Sequence, residues 1–380
     1  MKDRKLPLRA RIRARLTPRT GMLASVLVVA LLALVVWGSS WAVPDRDRGS
    51  TTSGDASSSG ASGSTDATAD GGDGDGGSKG DQKDGSVAGG ASADIEEVTS
   101  EELARSVRRF RAGQRRLAQQ VTKQLERRTA PVDLRVATFN VLGDSHTGPG
   151  GNKPAYYPDA GARMDMAVSA LRSHAIDVVG FQEFESTQYG MFTARAGEYS
   201  LYPGLALGPK SVRFNIAWRS SAWQLVEAHT LSIPYAGGSR IDMPVVLLES
   251  TSTGRRAWFA NFHNPADTPN LGNNARWRAE AAGIEIAHLT ELHLQDGVPV
   301  VVTGDFNERA EIFCRFTAGG VFSAAAGGST GAGCIPPSSM QVDWIFGSTG
   351  VSFDEYAVTD TGRASDHAMV HARATLAAGE

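Results

Sequence analysis

Six short stretches in the C-terminal two-thirds of the chain share one pattern: apolar residues alternate as in a strand, then stop at a polar side chain. "LRVATFN" sets Val136 and Thr138 against Ala137 and Phe139 and ends on Asn140. "IDVVGFQEFE" runs through Val178 and Val179 to Gln182 and Glu183, and "RAWFANFHNPAD" through Trp258 and Phe259 to His263. "VVVTGDFNERA" carries Val300 to Val302 into Asp305 and Asn307. "QVDWIF" sets Asp343 opposite Trp344, and "ASDHAMVHA" places Asp366 and His367 just ahead of another apolar alternation. Strand alternation predicts that Asp305 and Asn307 share a face while Phe306 points into the core. A turn built from Gly, Asp and Asn accounts for the same residues. Each strand end taken alone has such a structural explanation; six in one region point to a common site.

Upstream the pattern changes. Gly21 to Val43 contains no charged residue, and eight Lys/Arg precede it against the single acid Asp3. An apolar run of about 20 residues spans a bilayer as a helix. Positive charge on its N-terminal side predicts residues 1–20 in the cytosol and everything after Val43 outside. Ser40 and Ala42 are small and suitably spaced for cleavage, so a signal sequence is the alternative to an anchor. Residues 44–94 are Ser-, Gly-, Asp-, Ala- and Thr-rich, without Leu, Ile, Met or aromatic side chains. Such a segment cannot offset its ordering entropy by burial, and is expected to be a disordered linker. Residues 95–130 are expected to form an amphipathic helix. Thr99 and Glu102 fit a capping box, and Leu103, Val107, Phe110, Leu117, Val121 and Leu125 recur at helical spacing. Its apolar stripe is expected to lean on the domain behind it; a short coiled coil or a contact with anionic lipid is the alternative.

The remaining stretch, 132–377, is long enough for one layered, β-rich domain. Charge is unevenly spread: residues 1–43 sum to +7, 44–94 to −6, 95–131 to +4 and 132–380 to −8. An acidic domain does not bind polyanions by charge attraction alone, so a phosphate-bearing substrate would need a recruited cation. Asn140, Glu183, His263, Asp305, Asn307, Asp343, Asp366 and His367 supply carboxylate and amide oxygens with two imidazoles. They lack the thiolates and multi-His spacing of zinc sites. Oxygen ligation suits a hard ion such as Mg²⁺, with Mn²⁺ or Ca²⁺ as alternatives. The two cysteines, Cys314 and Cys334, are expected to pair if the domain lies in an oxidising compartment. The Gly/Pro-rich "GDSHTGPGGNKPAYYPD", with His146 and Lys153, is expected to face the substrate, with a plain connection as the alternative.

"TFN", "QE", "GDFN", "VDWIF" and "SDH" occur here in the order and at separations that resemble the endonuclease/exonuclease/phosphatase, or DNase I-like, superfamily, over roughly Leu134 to Ala374. The resemblance implies an α+β, four-layer αββα sandwich and Mg²⁺-dependent hydrolysis of phosphoester bonds. It implies Glu183 as principal metal ligand with Asn140 and Asp366 near the same ion. Asp305 and Asn307 would hold the attacking water and the phosphoryl group. His367, oriented by Asp343, would match the base-side histidine, and His263 the one that contacts phosphate or helps the leaving oxygen. The carboxylate that supports this histidine in DNase I-like nucleases has no evident counterpart in "SVRFNIAWRS", where Asn215 is the candidate substrate contact. The resemblance also places a disulfide in a similar position. The expected substrate is a phosphoester, with nucleic acid first and a phospholipid or small phosphoester as the alternative. An inactive interaction module is the third reading. No obligate protein partner is evident.

Overall fold

Strands with one apolar face pack in pairs of sheets, and the alternation seen in the sequence does so here. The computed structural model describes residues 99–379 apart from 154–155, 271 and 331–332. The segments 1–20, 21–43 and 44–94 therefore lie outside the described residues. Among the described residues no helix is long and apolar enough to cross a membrane.

Among the described residues, twelve strands form two six-stranded mixed sheets. They are β1 Val132–Asn140, β2 Val178–Gln182, β3 Tyr199–Tyr202, β4 Asn215–Arg219, β5 Trp223–Pro234, β6 Arg240–Ser250, β7 Arg256–His263, β8 Val300–Asp305, β9 Phe322–Ala324, β10 Asp343–Ser348, β11 Val351–Thr359 and β12 Met369–Leu376. The first sheet runs β11-β12-β1-β2-β4-β3 and the second β5-β6-β7-β8-β10-β9. Each has a central parallel pair, β1 with β2 and β7 with β8. Helix α1 Ser100–Thr129 precedes β1, and four further helices pack on the sheets: α2 Ala160–Ser173, α3 Ser186–Arg195, α4 Ala275–Asp296 and α5 Ala310–Thr317.

Three apolar cores separate four layers. Between the sheets, Val136, Val178 and Val370 meet Phe259, Val301 and Ile345. Outside the first sheet, Ala137, Phe139, Val179 and Phe181 pack on Met164, Val168 and Leu171 of α2 and Phe192 of α3. Outside the second, Trp258, Val300, Val302 and Phe346 pack on Leu289 of α4 and Ile312, Phe313 and Phe316 of α5. Burying each such side chain contributes roughly 1.5–3 kcal/mol. The expected αββα sandwich is thus what the described residues form. The sheets approach so closely that a Cβ on Gly180 would collide with Thr303 and Asn261 of the opposite sheet, which is why this central position is glycine.

Two expectations are corrected. β8 stops at Asp305, and Asn307 lies beyond it with φ +51°, so strand alternation does not extend to that residue. The Asp305 carboxylate accepts from the Asn307 backbone N (3.0 Å), which makes the segment an Asx-type turn. The apolar stripe of α1 does not lean on the domain: Leu103, Val107, Phe110, Leu117, Val121 and Leu125 are all exposed. The capping box is present, Glu102 N donating to Thr99 Oγ1 (3.3 Å) and Thr99 N to Glu102 Oε2 (3.0 Å). Only the last turn is rooted: Arg127 donates to Ser252 O, Arg128 lies 3.5 Å from Glu249, and Gly379 N donates to Thr129 O (2.8 Å).

Candidate active site

Topology brings the polar strand ends together. The parallel pairs put Asn140 beside Gln182 and His263 beside Asp305 at the C-terminal ends of β1, β2, β7 and β8. β10 runs antiparallel to β8 and starts there, with Asp343 in register with Asp305. β12 runs antiparallel to β1, so Asp366 and His367, just ahead of it, reach the same end. Ser365 secures that approach by donating to Asn140 O (2.6 Å).

Asn140 is the hub. Its Nδ2 donates to Glu183 Oε1 (3.1 Å) and Asp305 Oδ2 (3.0 Å), while Leu142 N donates to its Oδ1 (3.0 Å). Asn140 thus bridges two carboxylates through its N–H groups, while its amide oxygen accepts one backbone N–H. Glu183 Oε2 accepts from Gly143 N (3.1 Å) and lies 3.3 Å from His146 Nε2. Glu183 and Leu142 have φ +55° and +53°, values that cost an ordinary L-residue roughly 1–2 kcal/mol. The surrounding bonds hold both in that conformation and turn the carboxylate into the site. Asp366 is paired with the Lys153 ammonium.

On the other side, His367 Nδ1 sits 2.8 Å from Asp343 Oδ2, which turns Nε2 toward Asp305 Oδ2 at 3.8 Å. His263 Nε2 approaches the same oxygen at 3.5 Å. Asp305, Asp343 and His367 form the one group of three closely spaced potential ligands among the described residues. Asn307 Nδ2 donates to Asn264 O (2.8 Å). Asn215 is spent on structure: Gly204 N donates to its Oδ1 (2.8 Å) and its Nδ2 donates to Val212 O (2.7 Å). These bonds give it the task of fastening the loops around β3 and β4, in place of the expected substrate contact. His263 Nδ1, buried, has no partner among the described residues, in keeping with the missing supporting carboxylate.

Electrostatics follow from burial and crowding. Burial alone would raise Glu183, but the hydrogen bond with His146, the charge of His263 and the Asn140 amide outweigh it and hold the carboxyl well below its usual range. Burial raises Asp343, and the nearby Asp305 charge raises it further. His367 moves up from the imidazole range because Asp343, Asp305 and Glu183 together outweigh its desolvation. His263 moves down, burial exceeding the pull of Asp305 and Glu183.

Several supports carried no motif. Arg163 is buried in α2 and donates to Val141 O (2.7 Å) and Gly143 O (3.3 Å), fixing the loop after β1. Gln188 Nε2 donates to Val141 O and Leu142 O (3.2 and 3.1 Å) from α3. An arginine among the small and apolar residues of "AGARMDMAVSAL" was the available signal.

The family model "Endonuclease/Exonuclease/phosphatase family" matches residues 137–367, the stretch that carries these strand ends. The chain belongs to this family. Its fold recurs in a family member from Bacteroides thetaiotaomicron, at 18% identity and TM-score 0.53, covering 65% of this chain and 98% of that one. A mannosyl-6-phosphatase from the same organism gives 19% identity and TM-score 0.51 over 63% and 99% of the two chains. The human Nocturnin catalytic domain gives 18% and 0.50 over 64% and 96%. No curated protein matches the sequence. As a family member with this site, the protein is a phosphoester hydrolase.

Proposed function

We propose that the chain is a Mg²⁺-dependent phosphodiesterase of nuclease type, working outside the cytoplasm and tethered through residues 21–43. The observation that carries the chemistry is the Asn140 amide held between Glu183 and Asp305, with the Asp343–His367 pair on the far side of Asp305. The donors fit a hard divalent cation. Glu183 and Asp366 are carboxylates without thiolate neighbours, and in this structure each is met by a cationic or proton-bearing group, His146 and Lys153. Glu183 and Asp366 would hold the ion, which when bound supplies charge neutralisation at the phosphoryl and leaving oxygens.

The chain's own residues do the rest. Asp305 faces both imidazoles, and Asn140 fixes its orientation. Asp305 Oδ2 and His367 Nε2, 3.8 Å apart, flank the attacking water: Asp305 orients it, and His367 in its neutral form takes its proton. Asp343 sets which ring nitrogen of His367 faces the site. The Asn307 turn brings an amide to the phosphoryl oxygens, and buried His263 lies where the leaving oxygen needs a partner.

A phosphomonoesterase or lipid-headgroup phosphodiesterase is the second reading. It is favoured by the net −8 over residues 132–380, since small substrates need less cationic surface. The relative named a mannosyl-6-phosphatase is an instance of a phosphomonoesterase on this fold. The test offers the full chain plasmid DNA, RNA, sphingomyelin, inositol phosphates and bis-(p-nitrophenyl) phosphate, with Mg²⁺ or EDTA. Cleavage of DNA or RNA that stops in EDTA is expected. His367→Gln should lower the rate by ~10²–10⁴ at unchanged folding by circular dichroism. Turnover of lipid or phosphomonoester alone selects the second reading, and no turnover of any of them rules out both.

A further inference from the structure

Helix α1 is 30 residues long and buries none of its side chains. Its exposed apolar positions follow a heptad. Val107, Gln114 and Val121 occupy successive a positions, and Leu103, Phe110, Leu117 and Gln124 successive d positions, with Leu125 beside the last. Phe110 and Leu117 are 65% and 62% exposed, far more than a solitary helix stripe in contact with its own domain would be. We propose that α1 is a dimerisation element, forming a parallel two-stranded coiled coil with α1 of a second copy of this chain.

The choice of occupant rests on where charge sits. A helix lying in a lipid interface has a broad apolar face with cations flanking it. A coiled coil needs only the narrow a/d seam, with flanks that do not repel. Between residues 103 and 123 the flanking e and g positions are Ala104, Ser106, Arg111, Gly113, Ala118 and Gln120, so Arg111 is the one charge beside the seam. Arg105, Arg108, Arg109, Arg115, Arg116 and Lys123 all fall on the outer b, c and f positions. The helix is strongly cationic overall, nine basic against three acidic residues, yet a second copy meets almost none of that charge. The next two cations, Arg127 and Arg128, lie where the helix roots on its own domain through Ser252 and Glu249, and the seam ends there.

Composition and branching point the same way. Val at a with Leu at d, as at 103 and 117, favours two strands, and a polar a residue sets a register; here Gln114 would face its own copy, with Gln124 closing the seam at a d position. Residues 44–94 contain no Leu, Ile, Met or aromatic side chain and have nothing to fill the stripe themselves. A parallel pair also sends both N-termini the same way, which suits two chains anchored through 21–43 in one surface. α1 roots beside the N-terminus of β1, the end away from Asn140, so pairing leaves the catalytic end of both copies open.

The test uses the full chain in neutral detergent. Val107→Cys, at an a position, should form a disulfide-linked dimer on mild oxidation, at least tenfold more than Arg108→Cys on the outer face. Adding Leu117→Glu should abolish the link while hydrolysis of bis-(p-nitrophenyl) phosphate stays unchanged. No link at residue 107, or equal links at 107 and 108, would overturn the proposal. So would loss of binding to vesicles one-third phosphatidylglycerol in Leu117→Glu without any link at 107, which would assign the stripe to lipid.

Discussion

Glu285 of α4 is fully buried, and burial pushes its pKa up to about 8 although a hydrogen bond with Asn264 pulls the other way. Asn264 sits directly after His263, so this acid lies behind the floor of the site. The folded protein thus holds a proton that the unfolded chain releases near the ordinary Glu value. Its stabilising effect is complete below about pH 4.5 and is lost as pH rises through about 8. Glu285→Gln removes the titration, and should leave the variant more stable than wild type at pH 8.5 by of order 2–4 kcal/mol, with a smaller difference at pH 5. Urea unfolding at the two pH values measures it; equal differences at both would show that Glu285 does not hold that proton. Residue types in the site were legible because hard-ion and proton chemistry need particular atoms. Which atom of Asn140 or Asn215 faces which neighbour was not, since an amide offers a donor and an acceptor and only the surrounding backbone selects between them.

At the scale of elements, the Cys314–Cys334 bridge ties α5 to the loop before β10, with a sequence separation of 20. α5 packs on Phe306 and Phe346 through Phe316, so the bridge braces the segment between Asp305 and Asp343. In the chain-entropy model a loop of this size stabilises by ~3 kcal/mol. Replacing both cysteines by Ser should lower the Tm by about 6–12 °C, and calorimetry would show whether the loop needs the bridge at all. The strands were readable because period-two alternation is local. The end of β8 was not: Asp305 and Asn307 look alike as alternation or as turn, and the carboxylate–backbone bond decides for the turn. The capping box of α1 was equally local and is present. The fate of its stripe depends on distances to the domain that no helical period encodes.

For the whole molecule, the linked expectation is metal binding. If Glu183 and Asp366 hold Mg²⁺, saturating ion stabilises the fold by about 2.7 kcal/mol at a hundredfold excess over Kd. MgCl₂ should raise the Tm of the wild-type chain and leave a Glu183→Gln/Asp366→Asn variant unmoved. An identical response in both would place the ion elsewhere. The sequence by itself determined the alternating strands, the chemical kinds of side chain at their ends and the family to which their order belongs, because these depend on residue type and short spacing. The tertiary structure alone decided that Asn140 bridges two carboxylates, that Asn215 fastens loops and that the α1 stripe stays open. Each of those outcomes is a competition among hydrogen-bond or packing partners brought from distant parts of the chain, and it is settled only once both sheets are in place.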